Sequence, residues 1–252
     1  MIGEILKKSG YIKFHILKYV YFLFGNKKLK SYKNKYKGET ILVVGNGPSL
    51  KITPLDKFRI PSVGMNKIDL FFDKTKWRPN FIVCINGLVT LQNKKIFKKL
   101  GIPVILDIKS FLLGAISKNI SYLLPNYNSD FSNNFTKKVG TSGTVTYSAI
   151  QFAYYLGAKK IILVGVDHSF KGYSNQKVKS KIETFKGDDH NHFDPNYFKN
   201  KKWAIPNLEG SEIGYKKALS FLNENNIEIY DATINGKLNI FPKITIEQAI
   251  EM

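Results

Sequence analysis

Two clusters of residues in this chain have the types and spacing to do chemistry. The first is Gly45-Asn46-Gly47-Pro48-Ser49, which follows the apolar, β-branched run Ile41 to Val44. Glycines there let the chain turn sharply and leave room for a ligand at the backbone. Pro48 suits the first position of a following turn because it has no N–H to lose. A strand-to-helix turn of this kind holds phosphates on free backbone N–H groups, with Asn46 and Ser49 adding side-chain hydrogen bonds. It is not the Gly-x-Gly-x-x-Gly fingerprint, since Leu50 stands where the third glycine belongs, and no Gly-Lys-Ser/Thr follows. The plainer reading is a turn that only ends a strand. The second cluster is the stretch from Gly187 to Phe198, with His190, His192, Asp188, Asp189 and Asp194, entered past His168. An imidazole there can take a proton from a hydroxyl near neutral pH. His and Asp alternate as metal ligands would, but no His-x-x-x-His pattern exists, so a general base is preferred to a metal site.

Further polar residues fall where strands should end. Asn66 closes the run Ile60 to Met65, and Asn86 closes Phe81 to Ile85. Each offers a donor and an acceptor to a sugar, base or phosphate, or simply caps the next helix. Gly140-Thr141-Ser142-Gly143 opens a helix, with Thr141 or Ser142 as N-cap, and reads either as a second anion site or as an ordinary capped helix. Gly165-Val166-Asp167-His168 ends the clearest strand of the chain, Ala158 to Val166.

The elements that must position these residues are legible as an alternation. Strands are expected at Ile41 to Val44, Ile60 to Met65, Phe81 to Ile85, Ile102 to Ile108, Ala158 to Val166 and Ile227 to Tyr230. Helices are expected at Leu88 to Leu100, Thr144 to Leu156 and Ser211 to Asn226, with a short closing helix near the C-terminus. The fold class is α/β and Rossmann-like: a mostly parallel sheet with helices on both faces. Ligands of such sheets sit at the carboxyl ends of the strands. Phe111 to Lys138 reads as an irregular loop or lid near the site, and Phe170 to Trp203 as a long functional loop. The lone Cys84 lies in an apolar run and reads as a buried thiol.

The formal net charge of +20 comes from 39 Lys and Arg against 19 Asp and Glu. Such an excess can serve nucleic acid, an anionic membrane or phosphorylated substrates, or reflect composition bias alone. No nucleic-acid module signature is present. Residues 1–38 read as a basic amphipathic arm, distinct from a catalytic domain at 39–252: ten lysines face the single acid Glu4, and Ile5, Ile12, Ile16, Tyr19 and Leu23 recur at helical spacing. Such a helix suits the headgroup region of an anionic bilayer; packing on the domain or on another subunit is the competing reading. Its longest uncharged run, Tyr19 to Asn26, is too short to span.

Together, Gly45-Asn46-Gly47-Pro48-Ser49, Asn66, Asn86, Thr141-Ser142-Gly143 and Gly165-Val166-Asp167 resemble the bacterial sialyltransferases of lipooligosaccharide synthesis. His168-Ser169-Phe170, Asp188 to Phe198 and Leu208-Glu209-Gly210-Ser211 more closely resemble a wider group named for 6-hydroxymethylpterin diphosphokinase, with related segments in flagellin-modifying glycosyltransferases. The sialyltransferase likeness implies inverting transfer from a CMP-activated nonulosonic acid, with no required metal or cofactor. By that analogy Gly45, Asn46, Gly47 and Ser49 hold the CMP phosphate and ribose, Asn66 and Asn86 contact the donor, and Gly165 and Asp167 line the cytidine pocket. Thr141, Ser142 and Gly143 hold the sugar carboxylate or nearby groups. Ser169 and Tyr173 stand nearest to the tyrosines that meet the leaving phosphate in that family. Its catalytic histidine has no counterpart before the last long helix, so His192 is the preferred base, then Glu209, then His168. The acceptor would be a glycan, lipid-linked or flagellin, and the location cytoplasmic, on the inner face of the membrane. The alternative is a pyrophosphokinase using ATP and Mg on Asp167, Asp188 or Asp189.

Overall fold

The computed structural model describes residues 15–19, 21–22, 26–128, 130–171 and 182–252. Tyr173 and much of the basic arm, including Ile5, Ile12 and Leu23, lie outside the described residues. The elements run α1 (Asn26–Lys30), β1 (Thr40–Val44), β2 (Ser62–Met65), β3 (Phe81–Cys84), α2 (Gly87–Lys99), β4 (Val104–Asp107), β5 (Ile120–Asn126), β6 (Lys138–Gly140), α3 (Val145–Tyr155), β7 (Lys160–Val164), β8 (Ile182–Thr184), β9 (Lys202–Ala204), α4 (Leu208–Glu224), β10 (Glu228–Asp231) and α5 (Ile246–Ile250). Eight strands form one sheet in the order β10-β7-β1-β2-β3-β4-β5-β6. Every pairing within it is parallel.

The central strands are apolar because both their faces are covered. Ile41 to Val44 and Ile161 to Val164 are fully buried. From β1 the chain steps outward strand by strand to β6. Then α3 carries it back across β3, β2 and β1 to β7, on the other side of β1. Right-handed crossovers travelling in opposite directions cover opposite faces of a sheet. The chain therefore reverses between β1 and β7, and the crevice at that reversal lies at their carboxyl ends.

Three expectations need correction. The stretch Phe111 to Lys138 is not one irregular loop, because it holds β5 and the short edge strand β6. Pro125 and the polar Ser121 and Asn126 hide β5 from a pattern search; Pro125 is tolerated near the sheet's edge, opposite Val139. The long loop from Phe170 to Trp203 contains the antiparallel pair β8–β9. The cap of α3 is Thr144, whose hydroxyl accepts from Thr146 N, rather than Thr141 or Ser142.

Residues 26–38 pack against the sheet and the end of α3. Leu29 is fully buried, and Tyr32 meets Phe81 and Phe152 edge-on. The backbone N–H groups of Asn34, Tyr36 and Gly38 donate to the carbonyls of Tyr155, Leu156 and Gly157 at the end of α3. Earlier in the arm, Leu17 and Tyr21 are buried, and the Tyr21 hydroxyl donates to Thr136 O. Among the described residues no helix is long and apolar enough to cross a membrane.

Candidate active site

A cavity of about 730 Å³ opens at the carboxyl edge of the sheet, over the β1–β7 reversal. Its floor is two loops in close contact. Gly45 N donates to Val164 O, and Gly47 N donates to Gly165 O. A Cβ on Gly45 would meet the Gly165 carbonyl oxygen at 2.1 Å, and one on Gly47 would meet Asp167 Oδ2 at 1.9 Å. The glycines of the first motif are thus required by the second loop as well as by any ligand.

Asp167 links the two loops. Its carboxylate accepts from Ser49 N at 2.9 Å and from Ser49 Oγ at 2.7 Å. Burial pushes its pKa up, and the two Ser49 bonds oppose that shift. Ser49 therefore does not line the cavity, contrary to expectation; its side chain is committed to Asp167.

Asn46, Asn66 and Asn86 do share the hollow. Asn46 donates through Nδ2 to Met65 O at 2.9 Å, which orients its amide. Its Oδ1 and that of Asn66 are buried without a hydrogen-bond partner. Unpaired buried acceptors are costly, so these two oxygens suit a ligand that brings its own donors. Asn86 behaves differently. Its Oδ1 accepts from Leu88 N and Val89 N and caps α2, so capping takes its oxygen.

Three helices aim their N-termini into the cavity. Gly87 and Leu88 of α2, Thr144 and Val145 at the start of α3, and Leu208 of α4 all line it. Helix N-termini carry partial positive charge, so they favour an anion. Among the described residues no Lys or Arg lines the cavity. The backbone dipoles of these helices contribute positive potential at the site.

His192 lies on the wall with its two nitrogens in different surroundings. Nδ1 is 2.9 Å from Asp189 Oδ2, whose side chain is fully buried. The ring lies flat on Tyr197, with centroids 4.0 Å apart and planes at 4°. Asp189 also accepts from Asn191 N, and Phe193 N donates to Asn46 O, tying this loop to the floor. With Nδ1–H donated to a carboxylate, Nε2 is left as the proton acceptor. No hydrogen bond to Nε2 is found among the described residues.

His168 also lines the cavity, but its Nε2 is 3.0 Å from Glu212 Oε1. That nitrogen is already engaged. Its backbone is left-handed, with φ 53°, as is that of Ser142 with φ 38°. These are the only non-asparagine L-residues with positive φ among those described, and both flank the site. Held strain of this kind gathers at functional sites.

The other candidates divide. Gly143, Gly165 and Ser169 line the cavity. Thr141 and Ser142 do not: Thr141 Oγ1 turns to Asn126 O, and Ser142 Oγ donates to Gly210 O at 2.5 Å. Glu209 is exposed and off the wall, which removes it from contact with a ligand there. Asp188 pairs with Lys199 on the surface. Among the described residues no group of three His, Cys, Asp or Glu is placed to hold a metal ion.

Sequence reading missed Asp189 as the partner of His192, Glu212 as the partner of His168, and Lys67. Lys67 is 2% exposed and donates to Gln92 Oε1 and Tyr197 O, both at 2.7 Å. It fastens the His192 loop to the end of β2. Burial holds its pKa down to about 8. Its place directly after Asn66 was the only local signal.

The fold recurs in solved structures. The Maf glycosyltransferase of Magnetospirillum magneticum AMB-1 superposes with a TM-score of 0.54 at 13% identity, over 85% of this chain and 35% of that one. This chain thus spans about a third of that enzyme's length. A point mutant of the α-2,3/8-sialyltransferase CstII aligns at 16% identity with a TM-score of 0.39, over 82% and 87% of the two chains. CstII from Campylobacter jejuni with cytidine-5'-monophosphate gives 15% identity and 0.33, over 81% and 84%. Scores that low carry no argument. No curated protein matches the sequence. A family model described as 6-hydroxymethylpterin diphosphokinase MptE-like matches residues 15–172, well over half of the chain. That span includes both loops of the cavity floor, and by it the chain belongs to the MptE-like family.

Proposed function

We propose that the protein is a glycosyltransferase that takes a nucleotide-activated sugar, most specifically a CMP-activated nonulosonic acid, and inverts the anomeric centre. The observation that carries this reading is His192 on the cavity wall, held through Nδ1 by buried Asp189, with Nε2 left to take a proton. An acceptor hydroxyl gives its proton to Nε2 as its oxygen bonds to the anomeric carbon. The anomeric C–O bond to phosphate breaks, and the electron pair leaves with the nucleotide. The transition state resembles an oxocarbenium ion, with negative charge growing on the phosphate. Helix N-termini aimed at that charge stabilise it without reorganising.

The unpartnered oxygens refine the earlier assignment of Asn46. Phosphate oxygens bring no donors, so Asn46 Oδ1 and Asn66 Oδ1 are suited to ribose or sugar hydroxyls, or to a base amino group. The phosphate belongs over the helix N-termini. No added cofactor is required in this scheme. The acceptor is a glycan, free, lipid-linked or on flagellin, and the basic N-terminal residues contact an anionic membrane at the inner face of the cytoplasmic membrane.

The family's name favours a second reading, pyrophosphoryl transfer from ATP with Mg. The acids that would hold the ion do not converge: Asp167 is bound to Ser49, Asp188 to Lys199 and Asp189 to His192. Thermal melts with CMP, and with ATP plus Mg, separate the readings. A ligand that binds the native state alone raises the melting point by mass action. CMP is expected to give the larger shift; a shift with ATP and Mg and none with CMP would reverse the ranking.

A further inference from the structure

Because the eight-stranded sheet is wholly parallel, everything that precedes a strand lies at one edge and everything that follows lies at the other. Six of the eight strands have a basic residue within three positions upstream. These are Lys37 before β1, Arg59 before β2, Arg78 before β3, Lys118 before β5, Lys137 before β6 and Lys159 before β7. All six are exposed. None is paired with a carboxylate among the described residues. The same windows downstream hold only Lys67, which is buried, and Lys109. The acids close to the amino edge, Glu39, Asp56, Asp73 and Glu228, are fewer. Of the seven exposed basic residues in these windows, six therefore lie at the amino edge.

The described part of the arm lies at this same amino edge. Tyr21 is bound to Thr136, just before β6, and Leu29 O accepts from Tyr155 Oη at the far end of α3. While Leu17 and Tyr21 face the domain, Ile16, Tyr19 and Phe22 are exposed, recurring every three residues. The other end of α3 opens on the cavity. Its 11 residues span about 16 Å.

We infer that the amino edge is a docking face for an anionic lipid bilayer, with Ile16, Tyr19 and Phe22 entering the headgroup region and the six basic residues above it. This rests on the membrane contact proposed for the arm and adds an orientation. A rigid domain cannot turn both ends of α3 to one plane, so the catalytic cavity opens away from the lipid. The acceptor then reaches it from the aqueous side, as a soluble molecule or a long projection, and not as a headgroup of the same leaflet.

Two variants with equal loss of charge test this. One carries Lys37→Glu, Lys118→Glu and Lys137→Glu at the amino edge. The other carries Lys171→Glu, Lys186→Glu and Lys202→Glu beside the cavity. Co-sedimentation uses phosphatidylcholine vesicles with and without about one-third phosphatidylserine, with circular dichroism as the folding control. Each basic residue near such a surface contributes about fivefold. The first variant is expected to bind about 100-fold more weakly and the second within about twofold of the parent. Equal losses, or loss only in the second, would overturn the orientation; no binding by the parent, or preference for DNA over vesicles, would overturn the lipid partner. Fluorophores on Phe22→Cys and Ile182→Cys give an independent reading against nitroxide lipids, because buried Cys84 stays unlabelled. Phe22→Cys should be quenched and Ile182→Cys should not, and the reverse sinks the proposal. Neither readout needs transfer activity, so a wrong donor assignment leaves it standing.

Discussion

At the carboxyl edge of the sheet the described residues of the cavity wall include no Lys or Arg, and three helix N-termini face the cavity. At the amino edge, six strands begin just after an exposed Lys or Arg. The two edges present positive charge in different forms. Fixed dipoles at the cavity act over one helical turn and select by geometry. Mobile side-chain charges at the amino edge act over a Debye length, about 8 Å at physiological salt, and do not select by shape.

The comparison can be broken most sharply at His192. His192→Ala should lower transfer by about 100- to 10,000-fold, the usual contribution of a positioned base, while nucleotide affinity by calorimetry stays within a few-fold. Loss of both together would make the residue a structural part of the carboxyl edge instead.

A pair of glycines comes next. Gly45→Ala places a Cβ 2.1 Å from Gly165 O, between two backbones. It should destabilise the fold by about 3 kcal/mol in urea titration and abolish the nucleotide-induced rise in melting point. At the opposite edge, Gly157 has φ +93° and a Cβ there would lie 2.9 Å from Lys37 Cα. Gly157→Ala should cost about 2 kcal/mol and leave the ligand-induced rise intact. If both variants lose the rise, the two edges are not functionally separate.

The smallest effect concerns Lys67. Its pKa in the folded chain is about 8, against an ordinary 10.5. Between those values the unfolded chain binds more protons than the folded one, so Lys67 adds stability as pH rises from 8 towards 10. The cost of its buried charge is fully present below pH 8. Lys67→Met should flatten that rise in denaturant midpoints measured at pH 8 and pH 10. An unchanged slope would mean that another group produces it.

Much of this fold was legible because its strands are buried on both faces. Ile41 to Val44, Phe81 to Cys84 and Lys160 to Val164 announce themselves as apolar runs ended by Gly or Asn. The helices Leu88 to Leu100 and Thr144 to Leu156 were placed to within one residue at each end. The strands β5 and β6 were hidden, since Pro125 and a three-residue edge strand leave no local period. Of the site, Gly45, Asn46, Gly47, Asn66, Gly165 and His192 could be named from motif and strand-end position. Ser49, Ser142 and Glu209 could not be sorted from them, because a hydroxyl or carboxylate at a loop tip is free or committed according to what lies across from it.

The sequence alone determined the strand ends, their glycines and asparagines, and a histidine in an acid-rich loop. These depend on neighbours a few residues apart. Tertiary structure alone decided that Asp189 holds Nδ1 of His192, that Glu212 takes His168, and that Asp167 is bound to Ser49 across 118 positions of chain. It also decided that six basic residues share one edge of the sheet. A run of lysines has no direction in sequence, but a parallel sheet sends every residue that precedes a strand to the same edge.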